Sequence, residues 1–458
     1  MAIELTFLGA ARTVTGSCHL LRVRGHTLLL DCGQIQGSLS EQQENERPLA
    51  TGTIDAVVLS HAHLDHSGRL PLLRKHGFRG PIYTHRATRD LCELMLRDAA
   101  HLHEKEAELR NATRERDDGA RALPLYTTAD AQAVAAQFVP LDFDVRERIL
   151  PGVEIRLRNA GHILGAAIVE IRLEDAGSVV EIVYSGDLGY AGAPLLGPPT
   201  RIRDADLVIM ESTYGDRDHR PFDATLHELE TIVRGAAAAG GNILIPAFAV
   251  GRTQDVLYLL AEHYDAWRLH EWRIFLDSPM AIEATELYWR YRDLQRNVLF
   301  RDGRSPQLAN VIASQTVEDS ARIDEIREGA IVIAGSGMCT GGRIVQHLRR
   351  NLSRSECHVV LVGFQAQGTL GRLLVDGAAR VPLFHEAVEV AAQIHTVGGL
   401  SAHADRSGLP DWYAGFEGRP PVCLVHGERA AQTALADALR ERFDADVRMP
   451  ALGESLTL

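Results

Sequence analysis

The chain has 458 residues, of which 45% are apolar and 24% charged, with a formal net charge of −13. That length exceeds one typical domain, so two are expected, and the composition excludes a disordered or fibrous chain. The acidic balance argues against whole-surface attraction to nucleic acid; no apolar run approaches the ~20 residues that cross a bilayer, and the start MAIELTFLGA has no signal-like segment, so a cytoplasmic protein is expected.

In chain order, IELTFLG, SCHLLRV, HTLLLDCG and IDAVVLS read as short apolar strands separated by Gly-containing turns, the pattern of a largely antiparallel sheet. Helical patterns follow at GRLPLLRKHG and at the long stretch from Arg86, which begins amphipathic and ends highly charged in TRERDDGAR. Strands return at VEIRLRNAG, AAIVEIRL and VVEIVYSGD, so the first 200 or so residues predict an α/β sandwich layered by helices. After DADLVIMESTYG the grammar changes. GGNILIPAFAVGRTQDVLYLLAEHY, GAIVIAGSGMCTGGRIVQHLRRNL and HVVLVGFQAQGTLGRLL each run apolar strand, Gly turn, helix, which predicts parallel βαβ units and a second, doubly wound domain. No repeat, low-complexity tract or Pro/Ser linker separates the parts, so the second domain reads as an insertion.

The densest chemistry is LSHAHLDHSG, which places His61, His63, Asp65 and His66 within six positions at the end of an apolar strand. Imidazole and carboxylate without thiolate suit zinc or a similar divalent ion at a catalytic site, and the six scattered cysteines contain no C-x-x-C pair. One His-rich turn can be an ordinary surface feature, but four ligands in six positions after a buried strand point to a metal. His162 in NAGHILGA, Asp187 in YSGDLG and His426 in CLVHGE also follow short strands and border Gly, and together with the first group they supply enough ligands for two ions.

The ordered set H-x-H-x-D-H, GHILGA, SGD and VHGE, with LDCG before it, resembles the metallo-β-lactamase superfamily. ESTYG (Glu211 to Gly215), AFAVGRTQ, GSGMCTGGR and GLSAHAD resemble its β-CASP group, the nucleases related to the cleavage and polyadenylation endonuclease and to RNase J. The resemblance spans essentially the whole chain. It implies a metallo-β-lactamase αββα sandwich with an inserted doubly wound α/β domain: 1–208 and 392–458 forming the former and 209–391 the β-CASP insertion. It implies two zinc ions per chain, His61, His63 and His162 holding one, Asp65, His66 and His426 the other, and Asp187 bridging them. Two departures are visible: Leu400 stands where many members have Phe in GFSAH, and Gln346 precedes His347 where relatives often have a second His. Neither removes an expected ligand.

The chemistry that follows is hydrolysis of a phosphodiester by a metal-generated hydroxide. His403, in GLSAHAD, is the candidate general acid, oriented by Glu211, and Asp31 stands behind the ligands, accepting a hydrogen bond from a ligand histidine or a metal water. GSGMCTGGR lies between strand and helix, and backbone N–H groups there suit a phosphate, which marks Ser336, Gly337 and Gly342; Arg252, Arg343, His347 and Arg372 are further phosphate contacts. Without Gly-Lys-Ser/Thr it is not a nucleotide triphosphate loop.

The expected activity is that of a ribonuclease acting on single-stranded RNA, by internal cuts, from the 5′ end, or both, since a buried site admits a threaded strand more readily than a duplex. The alternatives are a DNA nuclease at the same site, a thioester or lactone hydrolase, and a non-catalytic RNA-binding subunit; against the last, every expected ligand position is filled. A homodimer is suggested by the resemblance alone.

Overall fold

The computed structural model describes residues 3–37, 39–47, 49, 53–112, 121–175, 177–296, 310–384 and 386–458. The charged tail expected at 113–120 lies outside the described residues. The chain forms two compact units: Met1–Ala191, Pro198–Asp218 and His403–Leu458 make one, Gly192–Gly197 and His219–Ala402 the other.

In the first unit two seven-stranded sheets share a core. One runs, in spatial order, Ser455–Thr457, Glu4–Phe7, His19–Val23, His26–Leu30, Ala56–Val58, Ile82–His85, Phe138–Leu141. The other runs Val447–Arg448, Val422–Val425, Leu207–Glu211, Ser178–Tyr184, Ala167–Asp175, Val153–Asn159, Arg146–Leu150. Alternation sets the inward faces: Val153, Ile155 and Leu157 are buried while their neighbours are half-buried, and they join Leu5, Phe7, Leu28, Leu30, Val169, Ile171 and Ile209 in one apolar cluster. Helices Arg86–Ala112 and Arg429–Phe443 pack against strands of the first and second sheet respectively, completing the αββα order. Leu91, Cys92, Leu94, Met95, Ala99 and Ala100 form the buried stripe of the former, at helical spacing.

The first three strands are antiparallel as the sequence suggests, but Ala56–Val58 enters parallel to His26–Leu30. The long connection between them returns the chain to the same end of the sheet, a crossover and not a hairpin. Phe138–Leu141 and Arg146–Leu150 are edge strands, and exposed Val139, Arg146, Glu147 and Arg148 give them no apolar alternation to read in the sequence.

The second unit is built on a six-stranded sheet in the order Val311–Ala313, Arg273–Asp277, Ala330–Ala334, Ile243–Pro246, His358–Leu361, Gln393–Thr396, every pairing parallel. Ile243–Pro246 and Ala330–Ala334 are buried along their whole length, as strands covered on both faces must be. The units part later than the sequence suggests at both junctions. A boundary after 208 cuts the strand Leu207–Glu211, which pairs with Ser178–Tyr184 and Val422–Val425; one after 391 removes Gln393–Thr396 from the parallel sheet it extends. Among the described residues no helix is long and apolar enough to cross a membrane.

Candidate metal centre

His26–Leu30 runs parallel to Ala56–Val58, and Ser178–Tyr184, Leu207–Glu211 and Val422–Val425 run parallel to one another, so within each sheet these strands deliver the residues after them to the same end. Asp31, directly after its strand, takes a left-handed backbone (φ 58°) and donates its N–H to the Val58 carbonyl at 3.0 Å. Cys32 N–H donates to the His66 carbonyl and Ser17 N–H to the Asp65 carbonyl, each at 2.8 Å. These bonds lock the His61–His66 turn, and Gly33 must be glycine because a Cβ there would collide with the Asp65 carbonyl oxygen. His426 has φ 48° and is fixed by its N–H to the Ala10 carbonyl at 2.8 Å.

The turn divides its side chains between two clusters. The rings of His61, His63 and His162 form a nearly equilateral triangle, with centroids 5.0, 4.9 and 4.9 Å apart and planes close to perpendicular. Asp65, His66 and His426 form the second group, His66 Nε2 lying 3.1 Å and Asp65 Oδ2 3.4 Å from His426 Nε2. Asp187 faces both. Its Oδ2 is 3.5 Å from His61 Nε2 and 3.6 Å from His162 Nε2, and its Oδ1 is 3.3 Å from His66 Nε2 and 3.5 Å from His426 Nδ1.

The donor set fits metal ions. His61 Nε2 and Asp187 Oδ1 are buried and make no hydrogen bond, which is costly for polar atoms unless something else satisfies them. Burial pushes the His61 imidazole well below its ordinary range and His63 down to about 4, so both rings are neutral near pH 7, the form in which imidazole can hold a metal. Burial acts on His66 in the same sense, but Asp187 and Asp31 overcome it and hold that ring well above its ordinary value. Burial would raise Asp187; His426, His66 and His61 instead hold it far down as the anion. The site therefore calls for positive charge between its carboxylates, which a divalent cation supplies.

Behind the two clusters, Asp31 is wholly buried and accepts four hydrogen bonds: from His66 Nδ1 at 2.6 Å, Ser60 N–H at 2.7 Å, Ser60 Oγ at 2.8 Å and Tyr184 OH at 2.6 Å. The first fixes His66 with Nε2 toward Asp187. Thr213 Oγ1 lies 3.1 Å from His426 Nδ1, and Ser60 Oγ 3.0 Å from His61 Nδ1. Glu211, also fully buried, places Oε1 and Oε2 at 3.2 and 3.3 Å from Nδ1 of His403 and accepts the Leu188 N–H at 2.6 Å. Burial would lower His403; Glu211, with Asp187 and Asp65, outweighs it and raises the imidazole to about 9. The His403 ring stands 4.5 Å from that of His162.

The structure thus brings together in one unit all seven expected ligands, Asp31, Glu211 and His403. The expected phosphate contacts lie in the other unit. Arg343 donates to Asp277 Oδ1 at 2.7 Å and to the carbonyls of Ser314 and Gln315 at 2.8 Å; His347 is buried with Nε2 2.6 Å from Asp277 Oδ2. Arg252 pairs with Asp255 at 3.1 Å and Arg372 with Asp376 at 2.9 Å. Ser336 and Gly342 lie in the Gly-rich turn, Ser336 Oγ accepting the Thr340 N–H at 3.0 Å.

Three family models match: a beta-lactamase superfamily domain over residues 26–247, a Beta-Casp domain over 253–374 and a Zn-dependent metallo-hydrolase RNA specificity domain over 387–450. The chain is 38% identical, over 98% of its own length and 98% of the other's, to a ribonuclease of Thermus thermophilus. It belongs to the β-CASP family of metallo-β-lactamase-fold hydrolases. A second relative, the transcription termination factor FttA of Methanocaldococcus jannaschii, is 30% identical over 98% of this chain and 70% of its own. A crystal structure of a protein of unknown function from Enterococcus faecalis V583 superposes over the whole of both chains with a TM-score of 0.55 at 14% identity, a likeness of fold. The fold class expected from the motifs is the one observed.

Ser17, Ser60, Tyr184 and Thr213 support the β-CASP centre but are not singled out by the sequence, because a hydroxyl beside a strand has no distinctive spacing. For Ser60 and Thr213 a signal exists: one directly precedes the H-x-H-x-D-H turn, and the other lies two positions after Glu211.

Proposed function

We propose that this chain is a zinc-dependent ribonuclease that hydrolyses phosphodiester bonds of single-stranded RNA, leaving a 5′ phosphate and a 3′ hydroxyl. The observation that carries the reading is Asp187, each of whose carboxylate oxygens faces one of two separate His/Asp clusters. His61, His63 and His162 would hold one zinc ion and Asp65, His66 and His426 a second, with Asp187 between them. Bound there, the ions would supply hydroxide near neutral pH and neutralise charge on the phosphoryl oxygens.

The remaining steps belong to the chain. Asp31 keeps His66 in the tautomer with the proton on Nδ1, so that Nε2 is the ligand atom. Glu211 orients His403 through Nδ1, so that Nε2 gives its proton to the departing ribose oxygen. Burial of these side chains excludes bulk water and strengthens each of these interactions. Ser336, Gly337 and Gly342, with Arg252 and Arg372, are the phosphate contacts in this reading; Arg343 and His347 spend their donors on Asp277 and brace the turn.

The RNA substrate is supported by the T. thermophilus relative, named a ribonuclease, and by the RNA specificity domain model over 387–450. The test is cleavage of matched, end-labelled single-stranded RNA and DNA, with and without chelator. Metal-dependent cutting of RNA with 5′ phosphate ends is expected; equal or better cutting of DNA would overturn the substrate assignment.

A further inference from the structure

In the parallel sheet, Ile243–Pro246 and Ala330–Ala334 are neighbours. From the first the chain goes on to Arg273–Asp277, two places toward one edge; from the second it goes on past a helix to His358–Leu361, two places toward the other. Such a reversal opens a crevice outside the carboxyl ends of the two strands, where doubly wound sheets bind ligands. The turns leaving at this point contain AFAVG and GSGMCTGGR, and the turn after His358–Leu361, the next strand along, contains VGFQAQGT.

Two phenylalanines stand in these turns outside the core: Phe248 is 41% and Phe364 50% exposed. Phe248 is firmly held. Its carbonyl accepts the Thr253 N–H at 3.2 Å and the Thr253 hydroxyl at 2.8 Å. Its ring rests against two glycines: a Cβ on Gly337 would come within 2.8 Å of Cδ2, and one on Gly363 within 3.6 Å of Cε2. Gln365 Nε2 donates to the Gly337 carbonyl at 2.9 Å and the Gly363 carbonyl at 3.0 Å, fastening the two supporting turns together. The ring is thus backed on one side by the two glycine turns and remains two-fifths exposed at the carboxyl ends of the strands.

We propose that Phe248, with Phe364 in the adjoining turn, is a stacking platform for an unpaired base of single-stranded RNA; this rests on the ribonuclease reading. Stacking on a phenyl face tolerates any base, since every base has a π-face, and rigidity lowers the entropic cost of holding a flexible strand. The polar surroundings suit a nucleotide better than an apolar partner: the Ser336 and Thr340 hydroxyls line the same Gly-rich turn, which the ribonuclease reading assigns to phosphate. Glycine at 337 is required because the ring occupies the space a side chain would take.

The experiment is anisotropy titration of the full chain with a non-cleavable phosphorothioate single-stranded RNA, and with the same strand carrying abasic sites, on wild type, Phe248→Ala, Phe248→Trp and Phe364→Ala. Phe248→Ala is expected to weaken binding of the complete strand by about 5- to 150-fold and that of the abasic strand far less, while Phe248→Trp retains affinity and its fluorescence is quenched by the RNA. Melting curves identify any variant that fails to fold, and Phe248→Trp, which keeps an aromatic ring, then decides through its quenching. Unchanged affinity in both alanine variants, or an indole in the Phe248→Trp variant that bound strand does not quench, would overturn the platform while leaving the ribonuclease reading intact. If wild type binds no single-stranded RNA, that reading fails and the platform with it.

Discussion

The carboxylate of Asp31 lies 2.6 Å from Nδ1 of His66, in a pocket where three further donors converge on the same two oxygens. Removing the acceptor frees His66 to rotate and to change tautomer. Asp31→Ala is expected to weaken zinc binding by about 10- to 100-fold, measured by competition with a chromophoric chelator, and Tyr184→Phe to act in the same direction by less. Zinc affinity unchanged in both would show that the hydrogen-bond network does not tune the site.

Asp187 faces both clusters with one carboxylate. Asp187→Asn keeps the shape and removes the charge, so zinc content measured by elemental analysis should fall and turnover by about 10⁴-fold or more, as for a group on which the whole constellation depends. Substitution of His63, which belongs to one cluster, should leave the other ion in place.

His403 is assigned the proton-donor role and no metal. His403→Ala is expected to lower kcat by about 10²- to 10⁴-fold with zinc content unchanged. Glu211→Gln should follow in the same direction more weakly, since the imidazole stays in place but loses the charge that favours its protonated form. Loss of zinc from His403→Ala would instead make it a ligand.

In the other unit, His347 and Asp277 form a buried pair at 2.6 Å. Burial would lower His347, but the carboxylates of Asp277, which accepts from its ring, and of Asp324 outweigh it and raise the imidazole above its ordinary 6.5, while hydrogen bonds donated by His347, Ser320 and Arg343 overcome burial and hold Asp277 below its ordinary 3.8. The contribution of His347 is therefore complete below its unfolded value and fades as pH rises through the higher folded one; that of Asp277 is complete above its unfolded value and fades as pH falls through the lower folded one. Their joint window runs from about pH 4 to about 6.5. His347→Gln is expected to destabilise by about 3–5 kcal/mol there, and by less at pH 9, in denaturant titrations. A pH-independent difference would assign the effect to packing.

The residues of the two His/Asp clusters were legible in the sequence because each follows a short strand, and strand ends are where a parallel arrangement gathers side chains. The αββα and doubly wound layers were legible for a related reason, since alternating and continuous apolar strands differ on the page. What surrounds the clusters was not. Asp31 meets Ser60 and Tyr184 across separations of 29 and 153 residues, and nothing local announces such a meeting. The edge strands 138–150 escaped because their outward residues are polar, and both domain boundaries fell early because strands near each junction pair with partners distant in sequence. Arg343 and His347 suggested phosphate by motif, but Asp277, their partner, lies 66 and 70 residues earlier. Phe248 lies inside AFAVGRTQ, where nothing in the sequence distinguishes an exposed ring from a buried one.

If two zinc ions held by the H-x-H-x-D-H turn, His162, Asp187 and His426 cut RNA, the most direct test pairs zinc analysis with single-stranded RNA cleavage, for wild type and for the double variant Asp65→Ala, His66→Ala. Two zinc ions and cleavage are expected in wild type, about one ion and no cleavage in the variant. A wild type that binds zinc without cutting RNA, or a variant that cuts at the wild-type rate, would contradict the assignment.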